Sequence, residues 1–144
     1  MSIRRSRYFC LLAGVIIIAC ATVYTAEAIV LEPRFNNTIS ASSSASISDD
    51  GLLTVTNQFK GIKGATSKGD ITTYVEKKSG LTWKRVIIGQ PNNEWHDIVN
   101  DYTYIGSHTV QLNSRGTYRI TVVYVISGSG GDPDTITRTI SKVY

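Results

Sequence analysis

The sequence predicts an all-β protein, folded as a two-sheet sandwich of about seven to eight short strands. Apolar and polar residues alternate with a period of two almost throughout the chain after residue 38. Threonine, valine, isoleucine and tyrosine, which favour strands, dominate these segments. Turn-forming clusters recur at the spacing of roughly 8–12 residues that is typical of sandwiches. No segment after the first 28 residues has helical periodicity, and a closed barrel is the alternative architecture.

Residues 1–28 have the pattern of a signal peptide. Three arginines precede the apolar run over residues 8–21: Arg4, Arg5 and Arg7. Ala26 and Ala28 then form the small-x-small pattern after which signal peptidase cuts. The sequence therefore predicts cleavage after Ala28, export of the chain, and no membrane span once the signal is removed.

Cys20 offers an alternative to release outside the cell. Residues 17–20 read Ile-Ile-Ala-Cys and resemble a bacterial lipobox, whose cysteine is lipidated and becomes the mature N-terminus. We therefore expect the protein to be secreted or to lie on the extracellular face of the cell envelope, with a lipid anchor at Cys20 as the alternative.

Charge and cysteine content argue against a nucleic-acid-binding protein and against a domain stabilised by disulfides. The formal net charge is +4, but loss of residues 1–28 lowers the basic residues from 15 to 12 and the acidic ones from 11 to 10, which leaves +2. No clustered basic stripe remains, so nucleic acid is not the expected partner. Both cysteines, Cys10 and Cys20, lie in the predicted signal, so the mature domain is expected to fold without a disulfide.

The first strand is predicted over residues 39–48, which read "ISASSSASIS". Serine-rich composition is typical of a linker, and that interpretation remains the alternative. Strict alternation favours a strand, however, with one face formed by Ile39, Ala41, Ser43, Ala45 and Ile47. The domain is therefore expected to cover residues 38–144, after a short lead over residues 29–37.

The remaining elements follow in order between turn signals. Residues 52–59 continue the alternation after an Asp-Asp-Gly turn, and two strands flank Ser79-Gly80 as a predicted hairpin. Three shorter candidates occupy residues 94–112, where the pairing stays open. The run "TYRITVVYVI" is the strongest strand, and a glycine-rich loop separates it from the final alternating segment.

Gly116, Tyr118 and Ile120 resemble the G-x-Y-x-C start of an immunoglobulin strand F, with Ile120 in place of the cysteine. The order of segments from Ile39 to Tyr144, behind a signal peptide, resembles a family of small exported immunoglobulin-like proteins of Gram-positive bacteria. That resemblance implies a disulfide-free immunoglobulin-like sandwich at or beyond the cell envelope. It also implies a tyrosine corner at Tyr118, and it supplies no catalytic or binding site.

Two sets of polar residues are candidate metal ligands. His96, Asp97 and His108 match no zinc signature, and neighbours in a strand such as His96 and Asp97 point to opposite faces. A second set lies in turn sequences, where we expect turn formers instead of calcium ligands: Asp49, Asp50, Asp132 and Asp134. We therefore predict no metal, no cofactor, no catalytic residue and no enzymatic activity.

The aromatic residues are the other candidates. Trp83 is predicted to fill the core beside the hairpin. Trp95, Tyr102 and Tyr104 are candidate binding residues, because aromatic rings on one outer face stack on sugars. The apolar Val123 and Val125 lie opposite the main core face, which indicates either a strand buried on both sides or an exposed stripe for association.

The function expected from these observations is an exported, non-enzymatic immunoglobulin-like module with a binding or structural role at the cell surface or outside the cell. Its partner would be an unidentified protein or polysaccharide of the cell envelope. Carbohydrate binding through exposed aromatic residues is the alternative.

Overall fold

The computed structural model describes residues 34–144, which contain eight β-strands and one short 3-10 turn at Pro91–Asn93. The strands are β1 Thr38–Ile47, β2 Leu52–Gly61, β3 Thr66–Ser79, β4 Thr82–Arg85, β5 Glu94–Val99, β6 Thr103–Gln111, β7 Thr117–Gly128 and β8 Gly131–Val143. Within this range, no helix has the length and apolar character needed to cross a membrane. The predicted signal peptide, its cleavage site at Ala26 and Ala28, and the alternative lipidation site at Cys20 lie outside the described residues.

The strands form two antiparallel sheets that enclose one core. One sheet has the order β1-β2-β6 and the other the order β4-β3-β7-β8. β5 pairs with β3 along the edge that β4 also uses, beside residues 69–74, whereas β4 pairs beside residues 76–79. The connections from β2 to β3, from β5 to β6 and from β6 to β7 cross between the sheets. This arrangement confirms the predicted immunoglobulin-like sandwich, and residues 34–144 hold no cysteine for a disulfide.

The serine-rich segment is a strand, as its alternation predicts. β1 pairs with β2 from Thr38 to Ile47, and its inner face carries Ala41, Ser43, Ala45 and Ile47. Ile39 is the exception, because a register shift between Thr38 and Ser40 turns its side chain outward, where it is 59% exposed. A core side chain of β7 is hydrogen-bonded to this polar strand. The Tyr124 hydroxyl lies 2.7 Å from both Ser43 Oγ and the backbone oxygen of Ser42.

Inward-facing apolar residues of both sheets fill the core. The fully buried ones include Leu53, Val55, Ile71, Val75, Ile120, Val122 and Ile126. Asn57 interrupts this pattern on β2, and its amide nitrogen donates to Thr73 Oγ1 on β3 at 2.7 Å. A buried polar group without a partner is destabilising, so this bond between the two sheets offsets part of the cost of an asparagine in the core. Among the described residues, Asn57 Oδ1 is buried and accepts no hydrogen bond.

Tyr118 forms the tyrosine corner that the resemblance implies. Its hydroxyl donates to the backbone oxygen of Ser114, four residues upstream, while its ring is buried. Gly116 lies between them with φ +150, and a Cβ there would come within 2.8 Å of Lys77 Cε. Glycine at 116 therefore leaves room for the Lys77 side chain to pass.

The expectation for Trp83 is wrong. Trp83 pairs with Lys78 on β3, and the residues of that parity point away from the core. The indole is therefore half-buried on the outer face, where the Arg119 guanidinium lies 4.4 Å from the ring centroid. The other three residues of the four-residue β4 are exposed.

Candidate functional site

The three predicted binding aromatics do not form one exposed platform. Trp95 is buried at 8% exposure, because it lies on the inner face of β5 and belongs to the core. Tyr104 also faces inward, from β6, and its ring stacks against Phe59 with centroids 6.1 Å apart. Tyr102 is half-buried in the connection before β6. Rings that stack on sugars must be open to solvent, so this trio lacks the geometry for carbohydrate binding.

Two of these aromatics join a polar cluster between β5 and β6, the facing edges of the two sheets. We call it the edge network: Trp95, Asp97, Tyr104 and His108. Asp97 Oδ2 accepts a hydrogen bond from the Tyr104 hydroxyl at 2.9 Å and lies 2.7 Å from His108 Nε2. The imidazole stacks on the Trp95 indole, with ring centroids 5.0 Å apart and planes 6° apart. The network therefore links the two sheets where no strand pairing does.

Burial shapes the chemistry of Tyr104. Burial, the hydrogen bond to Asp97 and the charge of that carboxylate raise the pKa of Tyr104 well above its ordinary value. Gly106 permits the geometry, because a Cβ at this position would lie 1.9 Å from the Tyr104 hydroxyl oxygen. The hydroxyl therefore remains protonated at neutral pH and serves as a donor to Asp97.

The edge network has the contacts of a structural cluster. Asp97 orients His108 as carboxylates do in catalytic triads, but a nucleophile would have to lie on the other side of the imidazole. The hydroxyl residues next to His108, Ser107 and Thr109, have the opposite parity on β6 and point outward. Within residues 34–144, the hydrogen-bond partner of His108 is the Asp97 carboxylate, and no hydroxyl group is hydrogen-bonded to this histidine.

The candidate metal ligands are separated. His96 lies on the outer face of β5, where its Nε2 is 2.6 Å from Asp70 Oδ1, while Asp97 points inward. In the described part of the chain, no three His, Cys, Asp or Glu side chains come together as a metal site. The two aspartate pairs also lie apart, because Asp50 follows the end of β1 whereas Asp134 contacts its start.

Asp134 has a role that the sequence analysis missed. Its carboxylate accepts hydrogen bonds from the backbone amides of Asn36 and Asn37, at 2.8 and 2.7 Å, and from the Thr38 hydroxyl at 2.8 Å. Burial would raise the pKa of Asp134, but these hydrogen bonds together outweigh it and hold the pKa below its ordinary value. Asp-Pro-Asp is a common turn sequence, so nothing local distinguished this residue.

The outer face of the five-stranded sheet carries aromatic, arginine and valine side chains side by side. We call it the outer sheet face, formed by Tyr74, Trp83, Arg85, Arg119, Val123 and Val125. Its two valines are half-buried, and within residues 34–144 no second layer covers them, so the interpretation of a strand buried on both sides is wrong.

Arginines cover the aromatic rings of this face. The Arg85 guanidinium lies 3.6 Å from the Tyr74 centroid and Arg119 lies above Trp83. Carboxylates hold both arginines: Glu76 accepts from Arg119 Nε and Nη2, and Glu94 lies 3.7 Å from Arg85. The sequence showed that Arg119 shares a face of its strand with Val123 and Val125. It did not show the strand register that brings Trp83 beside Arg119.

No protein-family model matches this sequence, and a search of curated proteins finds none that is significantly similar to it.

Proposed function

We propose that this chain is an exported, non-enzymatic immunoglobulin-like module that binds a protein partner at the cell surface or outside the cell. Export rests on the signal-peptide pattern over residues 1–28. Membership of a family of exported immunoglobulin-like proteins of Gram-positive bacteria is part of the same proposal and rests on the resemblance of the segments from residue 39 onward.

The composition of the outer sheet face carries the binding role. Aromatic residues and arginine are enriched at the centres of protein interfaces, and this face combines Trp83 and Tyr74 with Arg119 and Arg85. Half-buried valines beside them supply apolar area for a partner. The arginines are already held by carboxylates, so little side-chain entropy is lost when a partner fixes them.

The same geometry disfavours the carbohydrate alternative. Sugars stack on open ring faces, whereas guanidinium groups lie over Tyr74 and Trp83 and the edge network encloses Trp95. Affinity electrophoresis against cell-wall and plant polysaccharides tests this alternative, and we expect no retardation of the protein.

A matched pair of variants tests the binding role. Val123→Glu places a carboxylate on the outer sheet face, and Thr109→Glu places one on the outer face of the three-stranded sheet. Labelled protein is sedimented with envelopes isolated from the exporting cells. We expect Val123→Glu to lose most of the bound fraction, Thr109→Glu to keep it, and protease treatment of the envelopes to abolish it.

Equal losses in the two variants would contradict the use of this face. Binding that survives protease and is lost after periodate would support carbohydrate recognition instead. A hydrolytic or metal-dependent turnover that survives purification and disappears in His96→Ala or His108→Ala would overturn the non-enzymatic assignment.

A further inference from the structure

A second surface feature lies on the opposite side of the β3–β4 hairpin from the outer sheet face. It is a cleft of about 260 Å³ between this hairpin and the connection from β6 to β7. Its polar lining consists of Lys77, Lys84, Arg85, Gln111, Asn113 and Ser114. Lys77 and Lys84 supply two cationic side chains, whereas the Arg85 guanidinium lies over Tyr74 on the outer sheet face. No lining residue is acidic, so the cleft has a positive potential.

The two lysines of the cleft repel each other. Lys77 on β3 and Lys84 on β4 are direct cross-strand partners, so both side chains leave the same face of the hairpin. Like charges directly opposite each other destabilise a strand pair. No carboxylate of the described residues lies within ion-pair distance of either ammonium group, whereas Arg85 at the rim contacts Glu94. An anion between the two lysines would remove the repulsion.

The fold holds Lys77 in place for such a contact. Its ammonium group donates to Ser114 Oγ and lies 5.7 Å from the centroid of the Tyr118 ring. The absence of a side chain at Gly116 clears the path of its alkyl chain. The tyrosine corner fixes the same connection, because the Tyr118 hydroxyl binds the Ser114 backbone. Folding therefore already removes most of the conformational entropy of this side chain, so that little more is lost when a ligand binds.

The neutral lining completes an oxyanion site. The Asn113 amide and the Ser114 hydroxyl supply hydrogen-bond donors, whereas the Gln111 amide nitrogen already donates to the backbone oxygen of Asp50 at 2.6 Å. Lysine ammonium groups are common ligands of phosphate. We propose that the cleft binds a phosphate group between Lys77 and Lys84. The phosphate comes either from a free monoester or inorganic phosphate, or from the diester of a phosphate-containing polymer. This site is independent of the outer sheet face and of its partner.

The hairpin itself supplies a matched control for the test. Lys78 follows Lys77 in the chain but has the opposite parity, pairs with Trp83 and points to the outer face. Lys84→Gln and Lys78→Gln therefore change the net charge equally, and only the first removes a charge from the cleft. Lys84 forms no ion pair or side-chain hydrogen bond in the described structure, so its loss should not impair folding.

The experiment titrates inorganic phosphate into the isotopically labelled full chain at constant ionic strength, set with chloride, and follows the backbone amides by NMR. A parallel titration uses the diester bis(glycerol) phosphate. We expect saturable shifts centred on Asn113, Ser114 and Lys84, a dissociation constant raised about tenfold by Lys84→Gln, and a change below about twofold for Lys78→Gln. Binding of inorganic phosphate alone assigns the site to free phosphate or monoesters, and binding of the diester assigns it to a polymer.

Two results would overturn the proposal. One is the absence of saturable shifts with both probes. The other is equal weakening by Lys84→Gln and Lys78→Gln, which would indicate attraction by net charge only.

Discussion

Asp134 on β8 accepts a hydrogen bond from the backbone amide of Asn37, 97 residues away in the chain, at 2.7 Å. The same carboxylate binds the amide of Asn36 and the hydroxyl of Thr38, so one side chain fixes the start of β1 against the five-stranded sheet. β1 is polar and has few apolar contacts of its own, so the polar contacts at its start are important for keeping it in place.

Asp134→Asn should destabilise the domain by about 1.5–3 kcal/mol. Three donors converge on a carboxylate that is only 6% exposed, and the amide of asparagine supplies one acceptor oxygen in place of two. Asp132→Asn is the control, because Asp132 contributes only its backbone oxygen to Asn36 and Asn37. Urea unfolding measures both variants, and equal stability of Asp134→Asn and the parent protein would contradict the role of this carboxylate.

The same contact predicts a dependence of stability on pH. The pKa of Asp134 is lowered from 3.8 on folding, so its contribution to the free energy of unfolding is present above that value and is lost as the pH falls through the folded pKa. Unfolding curves at pH 6 and below pH 4 should therefore differ less in Asp134→Asn than in the parent. An unchanged difference would show that other carboxylates cause the acid sensitivity.

Tyr104→Phe should lower the free energy of unfolding by about 1 kcal/mol. It removes the donor to Asp97 and retains the ring that stacks on Phe59. Tyr102→Phe is a suitable control, because the Tyr102 hydroxyl forms no hydrogen bond within residues 34–144. Thermal unfolding compares the two, and an effect of the same size in both would count against the edge network as a link between the sheets.

Tyr118→Phe should lower the free energy of unfolding by about 1–1.5 kcal/mol, because it removes the hydrogen bond of the tyrosine corner and retains the buried ring. It should also loosen the connection that carries Asn113 and Ser114. Amide hydrogen exchange of these two residues should therefore become faster than in the parent, by more than the change in global stability explains. Unchanged exchange at these positions would show that the corner does not order the connection.

Much of the fold was predictable because it depends on local patterns. Of the five residues that the alternation assigned to the inner face of β1, four lie there, and the glycine-tyrosine pattern at 116–118 identified the corner. Ile39 could not be predicted, since a register shift at the strand's start depends on how β1 meets β2. Trp83 was misassigned because an indole is usually buried, whereas its position in the register of a short edge strand turns it outward.

The sequence by itself determined the sandwich class, the strand that its serines form and the opposite orientations of His96 and Asp97. These features follow from the two-residue repeat of an extended backbone, which is local. Only the tertiary structure decided which inward-facing residues meet. Asp97 contacts His108 because the edges of two different sheets face each other there, and Asp134 contacts Asn37 because β1 begins beside β8. Such contacts depend on the order and register of the strands, and alternation within one strand does not specify its neighbours.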